Sequence, residues 1–291
     1  MRRADGPRPT YDGAQCKEHI VIDGRVAVAA ANCVGGHIFG GCGYPAPSID
    51  DFFFKPIFSI GSVHITKPIV LAVVAGAMVL GFFAYAFRAP KLVPRGAQNL
   101  GEMGVLFVRD QILRPQLGKA GDKYLPFLVS IFFFVWLMNL FGIIPIIEFP
   151  ATSRIAFPAG LALIVWITYL VVGMRSKGPL TYFKNIAVPS GAPWWILPLL
   201  SPIELFSNIF VRPFTLTIRL MANMLAGHLL LLVFGIASWY LFSASIGLLY
   251  ATTSFIVTII LTGLEVLIQL LQAFIFTTLT AYYLADASAA H

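Results

Sequence analysis

The chain has 291 residues, of which 58% are hydrophobic and 11% are charged, and its formal net charge is +7. A soluble domain carries about 25% charged residues, and several apolar runs exceed the roughly 18 residues that mark a spanning helix, so the composition excludes a soluble domain and predicts a polytopic membrane protein. The positive charge is better explained by cytoplasmic loops than by nucleic-acid binding, because no basic stretch is interleaved with aromatic residues that could stack on bases.

The first 64 residues are rich in glycine, proline and charge, and they contain all three cysteines. The apolar stretch at 26–34 is too short for a signal-peptide core, so we expect residues 1–64 to form an external, non-spanning tail. The spacing of Cys16, Cys33 and Cys42 is not a zinc pattern. Cys33 and Cys42 either form a disulfide, if the tail faces an oxidising compartment, or remain free thiols.

Residues 65–291 are expected to form a polytopic membrane domain. In chain order the pattern predicts a first span, an amphipathic helix on the cytoplasmic surface, and a second and third span, at about 68–87, 95–119, 124–146 and 156–174. Lysine and arginine concentrate in the loops at 88–123 and 175–184, which the positive-inside rule places in the cytoplasm. The amino terminus and the loop at 147–155 are then external.

Two apolar tracts, at about 197–241 and 244–285, complete the membrane domain. As straight helices they would extend roughly 60–70 Å, about twice the ~30 Å thickness of the hydrocarbon core. Pro202 and Pro213 permit kinks in the first tract, but the second contains no proline, so a long, strongly tilted helical hairpin is expected. The predicted fold is an all-α integral membrane protein with five membrane-embedded helices, one surface helix and a cytoplasmic carboxy terminus.

Polar side chains inside these tracts are costly to insert and are therefore candidates for function. In the first tract the polar residues include Ser207, and five others form one slowly drifting helical stripe: Glu204, Asn208, Thr215, Arg219 and Asn223. His228 follows Arg219 by nine residues, about half a turn out of phase, and so lies on the opposite face. In the second tract, Glu265, Gln269 and Gln272 share a narrow sector.

Antiparallel packing of the two tracts would bring Glu265 close to His228, and both of these side chains are titratable. Each can gain or lose a proton and could exchange it with a water-filled pocket. Arg219 stays protonated, so it can attract a carboxylate but cannot relay a proton. Asn139 in the second predicted span and Glu148 beyond it are further candidates for lining a proton path.

Structural alternatives exist for most of these residues. Arg212 would contact lipid headgroups, and Thr215 and Gln269 would form interhelical hydrogen bonds. Asn139 would serve packing, and Glu204 would face an aqueous vestibule. An ion pair between Arg219 and Glu265 would explain one buried charge. It would leave His228, Asn223 and Gln272 without an explanation.

Two segments carry a specific motif: RPFTLTIRLMANMLAGH at 212–228 and EVLIQLLQAFIFTTLTAYYL at 265–284. Together they resemble subunit a of the F-type proton-translocating ATP synthases. The resemblance extends more loosely over 65–285 and includes YLPFLVSIFFFVWLMNLFGIIP at 124–145. It does not cover the amino-terminal tail.

The resemblance implies that Arg219 is the stator arginine facing a rotating ring of c subunits, each with a membrane-embedded carboxylate. Two offset aqueous half-channels would reach the ring from opposite sides. Asn223 and Gln272 would flank the arginine, and His228 and Glu265 would occupy paired half-channel positions that are exchanged in some members. Also implied are peripheral-stalk b subunits as partners, a bacterial plasma (inner) membrane location, no cofactor or metal, and no ATP-hydrolysing site on this chain.

Two positions depart from the family pattern. Gly142 stands where some members have an aspartate three residues after the asparagine of MNL. Glu204 lies one residue farther from the arginine motif than in many relatives. Both departures bear on how the chain lines the half-channels.

Two other classes of function are alternatives. A proton-coupled secondary transporter would use Arg219 to bind an anionic solute, and it predicts inverted repeats and unwound half-helices around the arginine. The sequence contains no such internal repeat. A non-conducting membrane scaffold would leave Arg219, His228 and Glu265 without a purpose.

Overall fold

A computed structural model describes much of the predicted membrane domain. The described residues are 58–60, 63–65, 67–88, 91, 93–144, 155–187, 196–240 and 246–288. Cys33, Cys42 and Glu148 lie outside them, so the predictions for these residues stay predictions. A short antiparallel pair of strands, β1 (Phe58–Ile60) and β2 (Val63–Ile65), precedes the first helix.

Helices make up nearly all the rest of the described chain. In order they are α1 (Lys67–Ala86), α2 (Ala97–Phe107), a first π turn (Val108–Leu113), α3 (Arg114–Leu117), a 3-10 segment (Gly118–Tyr124), α4 (Leu125–Leu140), α5 (Ala156–Lys177), α6 (Pro179–Ala187), α7 (Leu197–Phe206), a second π turn (Ser207–Val211), α8 (Arg212–Tyr240) and α9 (Ile246–Ser288). Within the described ranges, five helical runs are long and apolar enough to cross a membrane. This confirms the all-α class and the five apolar helices.

The helical run from α2 to α4 folds back on itself. Gly118, at the start of the 3-10 segment, has a φ of 59°, a backbone conformation that a residue with a Cβ adopts only with strain. A Cβ on Gly104 in α2 would meet the ring of Phe133 in α4 at 2.6 Å. Because a straight helix would separate these residues by roughly 43 Å, the chain must reverse near Gly118. The amphipathic segment and the following apolar helix are therefore separate, as expected.

Both π turns have the same local cause. The first is followed by Arg114 and Pro115, and the second by Arg212 and Pro213. In each case the arginine N–H bonds the carbonyl five residues earlier, and the proline that follows has no N–H to donate. A proline ring also clashes with the carbonyl four residues before it in a regular α-helix. The wider π turn relieves that clash.

Helix α9 is unbroken for 43 residues, in keeping with its lack of proline. Its threonines do not disrupt it, because their hydroxyls donate to carbonyls four residues earlier on the same helix. Thr277 bonds Ala273 at 2.8 Å and Thr280 bonds Phe276 at 2.9 Å. These polar side chains are satisfied locally, so α9 can remain helical in an apolar medium.

The described chain contains parts of two compact units. One comprises Phe52–His228 with Leu264–His291, and the other includes Leu229–Gly263. In the second unit, the Ser254 hydroxyl donates to the Phe234 carbonyl at 2.8 Å, which joins α9 to α8. In the first unit the main buried core draws residues from several helices: Ile112, Leu128, Val135, Val165, Leu220 and Phe276. The proposed site residues lie in this first unit.

Candidate functional site

Arg219 lies on the exposed side of α8. Ala222 and Ala226, one and two turns farther along this face, are exposed too. Leu216 and Leu220, on the other side, are 2% and 1% exposed and belong to the core. The ion pairs formed between described residues do not include Arg219. The Arg219 side chain is therefore exposed and has no acidic partner among the described residues.

Glu265 lies against α8 at the residue before His228. Its carboxylate occupies the space that a Cβ on Gly227 would need. The Gln269 side chain donates to the same carboxylate at 3.3 Å. Glu265 is 6% exposed and His228 is half-buried. Arg219 and Glu265 do not form the ion pair that the structural alternative requires. The carboxylate instead accepts a hydrogen bond from Gln269 and lies in the space that the missing side chain at position 227 leaves open.

Two glutamines on the buried face of α9 have unsatisfied polar atoms. Gln269 is 1% exposed and Gln272 is 6% exposed. The Oε1 atom of Gln269 and the Nε2 atom of Gln272 are buried and have no hydrogen-bond partner among the described residues. Buried amide atoms in native proteins are paired in the large majority of cases. Each of these two atoms can pair with a buried water.

A second polar cluster lies upstream of Arg219, around the second π turn. The Asn208 side chain donates to the Glu204 carbonyl at 3.0 Å and to the Glu204 carboxylate at 3.4 Å. The Tyr169 hydroxyl of α5 donates to the Asn208 carbonyl at 2.6 Å. Glu204 is half-buried and Asn208 is buried. Ser207 is also half-buried in this turn, but Tyr169 was not among the predicted site residues.

Arg212 is held within the protein. Its guanidinium pairs with Asp286 of α9 at 2.8 Å and lies over the Tyr283 ring, 5.0 Å from the ring centroid. Contact with lipid headgroups alone therefore does not account for Arg212, because its guanidinium has two partners within the protein. Nearby, burial raises the pKa of Tyr182, although the charge of Arg212 opposes that rise. Sequence reasoning missed Asp286, because 74 residues separate it from its partner.

Two residues outside the main clusters are also placed by the structure. Asn139 is 2% exposed in α4. Thr215 is exposed, and its hydroxyl bonds the carbonyls of Val211 and Arg212 on its own chain segment. Within the described chain, the Thr215 hydroxyl therefore bonds its own helical segment and does not join two helices.

The packing around Gly142 leaves no room for a side chain. A Cβ at this position would collide with the Met224 side chain of α8. Met224 is 2% exposed, and its sulfur lies 3.7 Å from the Gln269 amide nitrogen. Methionine therefore fills the space that a larger side chain at position 142 would occupy. Aspartate at 142 would require Met224 to move.

The chain is similar to known proteins over its whole length. The family model described as ATP synthase A chain matches residues 69–285. The protein named ATP synthase subunit a of Streptomyces lividans is 43% identical over 294 residues, covering 100% of both chains. That of Frankia alni (strain DSM 45986 / CECT 9034 / ACN14a) is 42% identical over 85% of this chain and 87% of the relative. That of Rhodococcus erythropolis (strain PR4 / NBRC 100887) is 40% identical over 83% and 89%.

These matches extend the resemblance seen in the two motifs. The match to the Streptomyces lividans protein includes the amino-terminal tail, which the motifs do not cover. With five apolar helices of spanning length and bacterial relatives, the protein is a multi-pass bacterial membrane protein. On the family model and the full-length relative together, the chain belongs to the ATP synthase A chain family.

Proposed function

We propose that this chain is the stator subunit of a rotary ATP synthase. It forms two offset proton half-channels against a rotating ring of c subunits and couples proton flow to ATP synthesis. The observation that carries the proposal is the position of Arg219, which is exposed on a long apolar helix and unpaired with any described acidic residue. Family membership supplies the context.

An arginine that faces lipid at mid-membrane is expensive. Insertion scales assign about 2.5–3.5 kcal/mol to it, and simulations of an isolated helix assign about 10–17 kcal/mol. A carboxylate on a neighbouring subunit would offset this cost with a charge-assisted pair. Ala222 and Ala226 on the same face leave room for another helix to approach closely. The exposed face of α8 therefore suits a c-subunit helix that carries a carboxylate.

The polar clusters lie on both sides of Arg219 along the helix axis. Glu204 precedes the arginine by 15 residues, or roughly 22 Å, and His228 follows it by nine, or roughly 13 Å. In the orientation expected from the positive loops, Glu204 and Asn208 lie toward the cytoplasm, and His228 and Glu265 lie toward the exterior. Offset half-channels require two proton paths that end on opposite sides of one arginine, and the two polar clusters have this arrangement.

The chemistry then follows from the charges. A ring carboxylate that meets Arg219 is favoured in its ionised form, because the guanidinium stays protonated. On either side of the arginine, the carboxylate exchanges a proton with one aqueous path. Because the fixed positive charge opposes a proton passing directly between the paths, protons must travel with the ring. His228 and Glu265 serve the external path, with Gln269, Gln272 and Asn223 as polar lining.

The remaining assignments follow from the same proposal. ATP is made or hydrolysed elsewhere in the complex, and peripheral-stalk b subunits hold this chain against rotation. The amino terminus is external and the carboxy terminus is cytoplasmic, in the bacterial plasma membrane. The alternative of a secondary transporter requires unwound half-helices at the arginine. Helix α8 instead runs without a break from Arg212 to Tyr240.

A cross-linking experiment tests the rotor-facing surface. After Cys16, Cys33 and Cys42 are replaced with serine, Ala222→Cys is expected to form a disulfide with a cysteine placed beside the c-subunit carboxylate. Ala222 is exposed near Arg219, whereas Ala273 is fully buried. Ala273→Cys is the matched control and should give no product. Equal cross-linking at both positions, or none at either, would contradict the proposed surface.

The paired half-channel residues have their own test. Glu265→Gln keeps the shape but removes the titratable group, so ATP-driven proton pumping in membrane vesicles should fall by about tenfold or more. His228→Ala should also reduce pumping. The exchanged variant, with His228→Glu and Glu265→His, keeps one of each group and should pump better than either single variant. Unchanged pumping in all three variants would exclude the pair from the proton path.

A further inference from the structure

The second π turn leaves one backbone carbonyl without its usual donor. In this turn the Arg212 N–H bonds the Ser207 carbonyl, five residues earlier. The next donor in the same register would be residue 213, which would bond the carbonyl of Asn208. Residue 213 is proline and has no N–H. Asn208 is 7% exposed, so an unpaired carbonyl there would be costly to bury.

The Tyr169 hydroxyl takes the place of this missing donor. It lies 2.6 Å from the Asn208 carbonyl in a buried contact that joins α5 to the π turn. Tyr169 is 2% exposed, and its ring also contacts Tyr283 with centroids 5.8 Å apart. Both the ring and the hydroxyl are therefore held. The hydroxyl provides a hydrogen bond that no backbone group at position 213 can provide.

The first π turn is an internal comparison. There the Arg114 N–H bonds the Arg109 carbonyl, and Pro115 cannot donate to the carbonyl of Asp110. Asp110 is exposed, so water can satisfy that carbonyl. The two turns share the same arginine–proline cause but differ in burial. Only the buried turn requires a side-chain donor from another helix.

We propose that Tyr169 is a positioning residue for proton transfer: its hydroxyl replaces the missing N–H of Pro213, holds the second π turn, and so aims the Asn208 amide at the Glu204 carboxylate. The Asn208 side chain and carbonyl belong to one residue, so a shift of the carbonyl moves the amide that contacts Glu204. This inference rests on the proposed function, because it gives the Glu204 carboxylate a place on the cytoplasmic proton path.

Tyr169→Phe tests the proposal in the assembled complex, because it removes one oxygen and keeps the ring. ATP-driven proton pumping, normalised to the amount of assembled complex in membrane vesicles, should fall about threefold to tenfold. Tyr282→Phe is the matched control, because it also removes one tyrosine hydroxyl but from a residue that is 48% exposed. It should pump like the parent. Equal pumping by both variants would overturn the inference.

A rescue experiment separates positioning from a loss of packing. Pro213→Ala restores an N–H at position 213 and removes the clash behind the π turn. The Asn208 carbonyl then gains a backbone donor in either register, from residue 213 in a π turn or from Arg212 in an α-helix. Tyr169→Phe should therefore cause no further loss in that background. A second cycle with Asn208→Ala should also be non-additive, since it removes the amide that Tyr169 aims. Additive losses in both cycles would assign Tyr169 a merely structural role. If the parent complex does not pump protons, the proposed function fails. If the parent pumps and Tyr169→Phe pumps equally well, this inference alone fails.

Discussion

Arg219→Ala is expected to abolish ATP-driven proton pumping, to the level of membrane vesicles that lack the complex. Alanine removes the one exposed permanent charge among the described residues of α8, since Arg212 on the same face is half-buried and paired with Asp286. A ring carboxylate would then have no counter-charge at the boundary between the two paths, and protons could pass directly from one to the other. Acidification of inverted vesicles measures the pumping. Their passive proton leak should remain or rise, which separates loss of coupling from loss of the channel.

Arg219→Lys is expected to lose coupling as well. The lysine ammonium gives up its proton when it is desolvated, whereas the guanidinium does not. Lysine also lacks the planar fork that meets a carboxylate with two hydrogen bonds. Its loss of pumping would therefore show that a permanent charge is required. A lysine variant that pumps like the parent would contradict the assigned role.

Arg212→Ala provides the matched control for both changes. It is the same residue type on the same helix, seven residues earlier, but its guanidinium is paired with Asp286 at 2.8 Å. Its removal breaks an ion pair between a half-buried arginine and an exposed aspartate near the helix end, and it leaves Arg219 in place. Pumping should therefore be largely retained. Coupled pumping that survives Arg219→Ala but not Arg212→Ala would reverse the roles assigned to the two arginines.

Periodicity in the sequence predicted the features that depend on local spacing. The five apolar helices follow from run length, and the absence of proline after residue 244 predicted the unbroken α9. The helical stripe also placed Arg219 and His228 on different faces of one helix. Such predictions succeed because membrane insertion constrains each segment separately, before its neighbours matter.

Contacts between distant segments were not predictable in the same way. Asp286 and Tyr169 reach Arg212 and the second π turn from other helices, and their own neighbours in sequence are ordinary helix formers. The π turns themselves had a local signal, the arginine–proline pair, but the need for a donor depends on burial. The space beside Gly142 is likewise filled from another helix, by Met224. Which residues are buried, and which residues of other helices they contact, depends on how the helices pack together and cannot be read from local sequence.

Gly227→Ala is expected to reduce ATP-driven proton pumping by about tenfold or more without preventing assembly. A Cβ at this position would overlap the Glu265 carboxylate. The obstructing atoms are the far end of a flexible side chain, so the carboxylate moves and the helix remains. Alanine also favours the helix over glycine by roughly 1 kcal/mol. The expected defect is therefore a displaced Glu265 carboxylate in an assembled complex, measured as pumping normalised to subunit content.

Gly235→Ala isolates this steric effect, because it makes the same change in the same helix at a position where no atom lies within 4 Å of the new Cβ. It should pump like the parent and should be no less stable. In the Gly227→Ala background, Glu265→Asp withdraws the carboxylate by one methylene and should restore part of the lost pumping. If Gly227→Ala and Gly235→Ala pump equally well, the position of the Glu265 carboxylate does not matter for proton transfer. The external half-channel would then have to be assigned to other residues.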